Sequence, residues 1–159
     1  RGGELHVRGP NLMLGYLRAE RPGELEPPAS ILGPGWYATG DIAEIDEEGF
    51  LFITGRLKRF IKVAGEMVPL ELAERLAAEV SPRARSAAVA RTEAGRGESI
   101  VLFTADPGLR REALLEAARR LGVTELAVAR RIEYLAEIPT LATGKFDYVR
   151  LKALAEQLR

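Results

Sequence analysis

Ile100-Val101-Leu102-Phe103 is an unbroken apolar run of strand-forming length, and its reading decides the fold. A strand apolar on both faces is one covered on both faces, so the run is predicted to lie in the middle of a sheet. Upstream, Ala87-Ala88-Val89-Ala90 predicts a second strand, reached through a turn at Gly95-Arg96-Gly97-Glu98. Downstream, Leu109 to Leu121 predicts a helix stopped by Gly122, followed by a third strand at Ile132-Glu133-Tyr134-Leu135. Leu72, Leu76 and Val80 mark one face of an earlier helix, begun at Pro69 and ended by Pro82. Leu151, Leu154 and Leu158 mark the face of a last helix from Asp147 to Leu158. The alternation predicts a small α/β or α+β layer, with α+β the class adopted: about three central strands flanked by helices.

Toward the N-terminus the texture changes at Gly55-Arg56. Just beyond it, Phe60-Ile61-Lys62-Val63 and Met67-Val68 predict a β-hairpin around Ala64-Gly65-Glu66. Before it, residues 4 to 55 read as β structure broken by turns. Leu5 and Val7, then Leu12 and Leu14, follow period two on either side of a Gly9-Pro10-Asn11 turn. Residues 21 to 35 read as a Pro/Gly-rich loop. Ile42 to Ile45 and Phe50 to Ile53 read as a hairpin whose Gly49 supplies a positive φ. Two domains follow, residues 1–55 and 56–159. The first offers too thin a core to stand alone and reads as the edge of something larger.

Composition bounds the function. Of 159 residues 47% are hydrophobic and 29% charged, with Lys+Arg and Asp+Glu both 23, so the class is globular and neutral. A neutral chain does not advertise nucleic acid or an anionic membrane as its partner. With no cysteine, disulfides, thiolate metal sites and a cysteine nucleophile are excluded. The chain fits a reducing, cytoplasmic setting, and membrane association would come only through segments outside it. It opens at Arg1 without a methionine, which reads as a cut inside a longer protein.

Several catalytic readings fail. His6 is the single histidine, with no acid or nucleophile spaced around it, and reads as a surface strand residue. Gly144-Lys145 is no Walker loop, because Phe146 replaces the magnesium-holding Ser/Thr and Pro139 stands where a glycine is needed. Gly95-Arg96-Gly97 lacks the helix a dinucleotide fingerprint requires. Three constellations remain. In Tyr37-Ala38-Thr39-Gly40-Asp41, an aspartate after a Thr-Gly turn can accept hydrogen bonds from a vicinal diol; the plainer reading is a turn aspartate. Arg56, Lys58, Arg59 and Lys62 crowd a short stretch before Gly65; the plainer reading is an edge strand guarded by cations. Pro139-Thr140-Leu141-Ala142-Thr143-Gly144-Lys145 leads into a helix, where a cation opposes the dipole and so is poorly explained by stability. A Thr/Gly loop with one lysine suits an oxygen-rich anion.

In order and spacing these segments resemble the signature motifs of the adenylate-forming superfamily: acyl-CoA synthetases, luciferases and peptide-synthetase adenylation domains. Gly3-Glu4-Leu5 through Gly15-Tyr16 is similar to the strand that precedes them. Tyr37 to Asp41 matches Tyr-x-Thr-Gly-Asp, Gly55 to Gly65 matches Gly-Arg-x-(Asp/Lys)-x-x-(Ile/Val)-Lys-x-x-Gly, and Pro139 to Lys145 matches Pro-x-x-x-x-Gly-Lys. The resemblance implies that Asp41 holds the ribose hydroxyls of ATP, with Arg56 assisting. It implies that Lys58 is the hinge of a mobile lid and that Gly65 lines the tunnel for a pantetheine thiol. Lys145 would meet the carboxylate and α-phosphate during adenylation, as a point cation placed where charge develops.

Two departures refine this. Ala38 stands where many members carry Arg or Lys, so a phosphate contact is lost there. Gly65-Glu66-Met67-Val68 looks like the branch of 2-acylglycerophosphoethanolamine acyltransferases and acyl-acyl-carrier-protein synthetases. The parent enzyme implied would use ATP and magnesium to turn a fatty acid into acyl-AMP. It would then pass the acyl group to the thiol of CoA or of acyl carrier protein, and in that branch on to a lysophospholipid. Magnesium ligands, the phosphate loop and the acyl pocket would lie in the N-terminal adenylating domain, so no metal ligand is assigned here and the chain alone is expected to be inactive. The alternatives are a peptide-synthetase adenylation domain acting on an amino acid, and a non-catalytic module that keeps only the lid fold.

Overall fold

The structure is a computed structural model that describes residues 2–93 and 97–158. The chain forms two compact units that divide between Lys58 and Arg59.

The first unit is built on a three-stranded antiparallel sheet of order β1-β4-β5, from Gly3–Val7, Tyr37–Ile45 and Leu51–Arg56. The expected hairpin is there: Asp46 caps the turn by accepting from the amides of Glu48 and Phe50, and Gly49 takes φ +88°. The Gly9–Asn11 turn is also present, closed by Leu12 N–H donating to Gly9 O at 3.3 Å. The strand expected at Leu12–Leu14 is not. A two-residue strand, β2 at Tyr16–Leu17, pairs instead with β3 at Leu25–Glu26, inside the region expected to be all loop. Gly15 permits this pairing, because a Cβ there would lie 2.4 Å from the Glu26 carbonyl oxygen. A short pair with a close backbone approach leaves no periodic signal in the sequence.

This unit has almost no interior of its own. Among its described residues only Ala43 joins the buried apolar set, whereas Leu14 and Ile31 are 82% and 90% exposed. Phe50, Leu51, Phe52 and Ile53 are exposed in succession along the β4–β5 hairpin. The expectation of a thin core is met.

The second unit is an α+β layer. β6 (Phe60–Val63) and β7 (Glu66–Pro69) form the predicted hairpin, and α1 (Leu70–Val80) follows directly from Pro69. Then come β8 (Ser86–Glu93), β9 (Gly97–Thr104), α2 (Arg111–Leu121), β10 (Arg131–Tyr134) and α3 (Tyr148–Gln157). The sheet order is β10-β9-β8; β9 pairs antiparallel with β8 and parallel with β10. The apolar run is therefore central. Its alternate residues feed two cores, as the two-residue period of a strand requires. Ile100 and Leu102 pack with α1, α2 and the β6–β7 hairpin through Leu76, Leu114, Ile61 and Val68. Val101 and Phe103 pack with Ile138 and with Leu151 and Ala155 of α3. Gly122 ends α2 in the left-handed region, as predicted. Of the turn expected at Gly95–Glu98, residues 95 and 96 lie outside the described residues, and Gly97 and Glu98 belong to β9. No helix among the described residues is long and apolar enough to cross a membrane.

Candidate functional site

In the first unit, Thr39-Gly40-Asp41 is not a turn between strands but a bulge inside the nine-residue β4. His6 pairs with Ala38 and Glu4 with Ile42, so Leu5 alone stands opposite Thr39, Gly40 and Asp41. Gly40 takes φ +75°, and Thr39 Oγ1 donates to Leu5 O at 2.9 Å while accepting from the Asp41 amide at 3.1 Å. Bulges re-aim side chains. Here the result is that Asp41 faces Arg56 across the β4–β5 ladder, with Arg56 Nε donating to Asp41 Oδ1 at 2.8 Å. The carboxylate is 20% exposed and the guanidinium 67%. A largely fixed carboxylate beside a guanidinium suits a vicinal diol, which donates two hydroxyls to the one and accepts from the other.

His6 is not the surface residue that its isolation in sequence implied. Its side chain is half-buried between Ser30, with Nδ1 2.7 Å from Oγ, and Glu4, with Nε2 3.4 Å from Oε2. Glu4, two residues back on the same strand face, was within reach of the two-residue period; Ser30, brought in by the loop, was not.

Lys58 occupies the middle of a single 3-10 turn, Leu57–Arg59, and is exposed. In the second unit Ala64 and Gly65 take φ +51° and +91°, the paired positive values of a tight hairpin turn. A Cβ built at Gly65 would meet nothing within 4 Å. Within this chain, then, the glycine is required by its backbone conformation and not by crowding.

Lys145 is presented on a closed loop. Leu141 N–H donates to Lys145 O at 2.8 Å, Gly144 N–H to Leu141 O at 2.9 Å, and Thr140 bridges to Phe146. The helix does not begin at the lysine. Asp147 is the N-cap of α3, accepting from the Arg150 amide at 3.0 Å, so the anion expected at a helix N-terminus is present and Lys145 precedes it. Lys145 is exposed, and no hydrogen bond or ion pair of its side chain is recorded among the described residues. Nor do any three acidic or histidine side chains converge on a metal-sized site among the described residues.

Arg59 does not fit the plainer reading of the cation run, an edge strand guarded by cations. It is 17% exposed, and its fork donates to Glu74 Oε1 at 2.8 Å, Glu74 Oε2 at 3.2 Å, Tyr148 Oη at 2.8 Å and Ala88 O at 3.1 Å. Its carbon Cζ lies 4.0 Å from the Tyr148 ring centroid, and Glu71 is 3.6 Å away. Burial works against the charge, but the Glu74 bond and charge outweigh it, and Arg59 titrates above the ordinary arginine value. Burial, then the Glu74 charge, pushes the Tyr148 phenol up to about 12, so it stays protonated and donates to Glu74 at 3.1 Å. The available signal was Glu74, an acidic residue within a helix with no cation three or four residues to either side.

No family model matches the chain. It is 38% identical over 145 residues to the long-chain-fatty-acid–CoA ligase of Salmonella typhimurium, covering 90% of this chain and 25% of that one. It is 35% identical over 149 residues to the indoleacetate–CoA ligase of Aromatoleum aromaticum, covering 90% and 28%. Among solved structures, an amide bond synthetase from Marinactinospora thermotolerans superposes with a TM-score of 0.75 at 31% identity, covering 99% of this chain and 31% of that one. The o-succinylbenzoate-CoA synthetase of Bacillus subtilis shares the fold, with a TM-score of 0.74 at 22% identity. The chain thus spans about a quarter of the length of these curated relatives. In sequence and in fold, it matches the C-terminal portion of the AMP-binding acyl- and aryl-CoA ligase family.

Proposed function

We propose that this chain completes an ATP-dependent ligase that activates a carboxylic acid as its acyl-adenylate and transfers the acyl group to a thiol. In this reading the first unit is the β-rich end of a large N-terminal domain and the second is the mobile lid, with the pivot at Lys58. The structural observation that carries the proposal is the presentation of Lys145: an exposed ammonium on a hydrogen-bonded loop, with no partner among the described residues, placed to meet the carboxylate and α-phosphate. Asp41 and Arg56 hold the ribose, and Gly65 lies where the thiol passes. The exposed apolar faces of the first unit supply the surface that a larger domain would cover.

A fatty acid with CoA as acceptor follows the names of the relatives above. The carrier-protein and lysophospholipid acceptors implied by the Gly65–Val68 form have no counterpart among those relatives. Assaying the full-length protein with CoA, acyl carrier protein and a lysophospholipid separates them. An amino acid substrate is a further arm of the same assay.

The chain by itself should not adenylate, because Lys145 and Gly65 can only finish a site whose phosphate cradle and magnesium ligands come from elsewhere. Incubation with ATP, magnesium and a panel of fatty and aryl acids should release no pyrophosphate above background. Turnover would mean that a complete small enzyme has been taken for a part of one.

Gly65→Leu in the full-length protein should leave acyl-adenylate formation within about twofold while thioester yield falls at least tenfold, a side chain worth over 1.4 kcal/mol of obstruction. Gly65→Ala is the control, since it imposes the same positive-φ strain of about 1–2 kcal/mol without the bulk. Equal loss of both half-reactions in both variants would reduce Gly65 to a turn residue.

A further inference from the structure

We propose that Arg85 is a positioning residue for Lys145, fixing its loop against the sheet; the inference rests on the reading of Lys145 as the adenylation lysine. Arg85 touches both chain neighbours of that lysine. Its Nη2 donates to the Gly144 carbonyl at 3.2 Å, and its guanidinium carbon lies 4.6 Å from the centroid of the Phe146 ring. It reaches them from a fixed platform: its own carbonyl accepts from the Ala105 amide at 2.9 Å, prolonging the β8–β9 ladder by one rung.

Phe146 is held from the other side as well. It meets Tyr148 edge-on at 5.9 Å and 76°, and Tyr148 is anchored by Arg59. Arg85, Phe146, Tyr148 and Arg59 thus form a continuous stack, two rings between two guanidinium groups, with Lys145 directly before its first ring. The internal bonds of the loop close it on itself but do not tie it to the sheet; Arg85 does.

Arg85 is exposed, and exposed contacts contribute little to global stability. Their effect falls on the placement of the loop. A catalytic group displaced by about an ångström loses a large part of its effect. A guanidinium suits this work because one planar group can donate and stack at once, which an ammonium does less well.

The test uses the full-length protein with Arg85→Ala, Arg85→Lys, Lys145→Ala and the Lys145→Ala/Arg85→Ala double variant. Hydrogen exchange of the segment 140–147, which carries the bonded amides of Leu141, Gly144 and Asp147, should quicken about tenfold in Arg85→Ala with the rest of the lid unchanged. Pyrophosphate release with ATP and a long-chain fatty acid should fall about tenfold in kcat at an unchanged KM for ATP. Thioester formation from supplied acyl-adenylate should be unaffected. Arg85→Lys should recover part of both losses, and the double variant should be no slower than Lys145→Ala alone, because the two residues act through one group.

Wild-type exchange in segment 140–147 of Arg85→Ala would overturn the proposal. So would an additive loss in the double variant, or equal loss in both half-reactions with a lowered melting temperature. If Lys145→Ala leaves adenylation intact, the functional reading of Lys145 fails, and exchange still decides whether Arg85 holds the loop.

Discussion

Lys145→Ala in the full-length protein is expected to slow acyl-adenylate formation by roughly a hundred- to a thousandfold, the usual loss when one preorganised charge stabiliser is removed. Thioester formation from supplied acyl-adenylate should stay close to the wild-type rate. The asymmetry follows from where charge develops. A carboxylate attacking phosphorus brings anionic oxygens together, and a cation there stabilises the transition state more than the separated reactants. The later attack of a thiol on an acyl-adenylate has no such need at that place. The structure makes the experiment clean. The loop is closed by backbone bonds that do not involve the ammonium, and α3 is capped by Asp147, so removing the side chain should not unfold its surroundings. Pyrophosphate release and thioester yield, measured separately, check it. Equal loss in both, with an unchanged melting temperature, would deny Lys145 a role specific to adenylation.

Arg59→Ala is expected to destabilise the second unit by about 3 kcal/mol, the scale seen when one partner of a partly buried ion pair is removed. The reason is less the lost attraction than what remains. Glu74 is 19% exposed, accepts from the Ala88 amide and from Tyr148, and would be left without its guanidinium partner. One side chain currently ties the start of the unit to α1, β8 and α3, so its loss loosens three elements together. For a unit of this size the melting temperature should drop on the order of 15 °C. Arg59→Lys keeps the charge but lacks the planar fork that reaches Glu74, Tyr148 and Ala88 at once, and should recover only part of the loss. Calorimetry of the chain measures both. A drop of only a few degrees for Arg59→Ala would show that water replaces the guanidinium without penalty.

Much of the fold was legible because it rests on local rules. The two-sided apolar run at Ile100–Phe103 required a central strand. Leu72, Leu76 and Val80 required a helix with one buried face, and Gly122 stopped the next one. The Tyr-x-Thr-Gly-Asp, Gly-Arg and Gly-Lys segments gave the family, because their spacing is itself a linear property of the chain. Two of the missed features share one trait: each joins positions that no local period links. β2 and β3 are too short to carry a period, and their pairing depends on Gly15 meeting the Glu26 carbonyl. His6 found Ser30 across a loop.

The sequence by itself determined the type and order of the secondary elements in the second unit, the thinness of the first unit's core, and which segments match the family's motifs. Period, caps and motif spacing are set by neighbours along the chain, so they can be read there. Only the tertiary structure decided which of the crowded cations Arg56, Lys58, Arg59 and Lys62 turn inward. It placed Arg56 on Asp41 through a bulge, buried Arg59 under Glu74 and Tyr148, and left Lys58 and Lys62 in water. The physical reason is that a charge is buried only where distant groups converge to satisfy it, and convergence is a property of the folded chain.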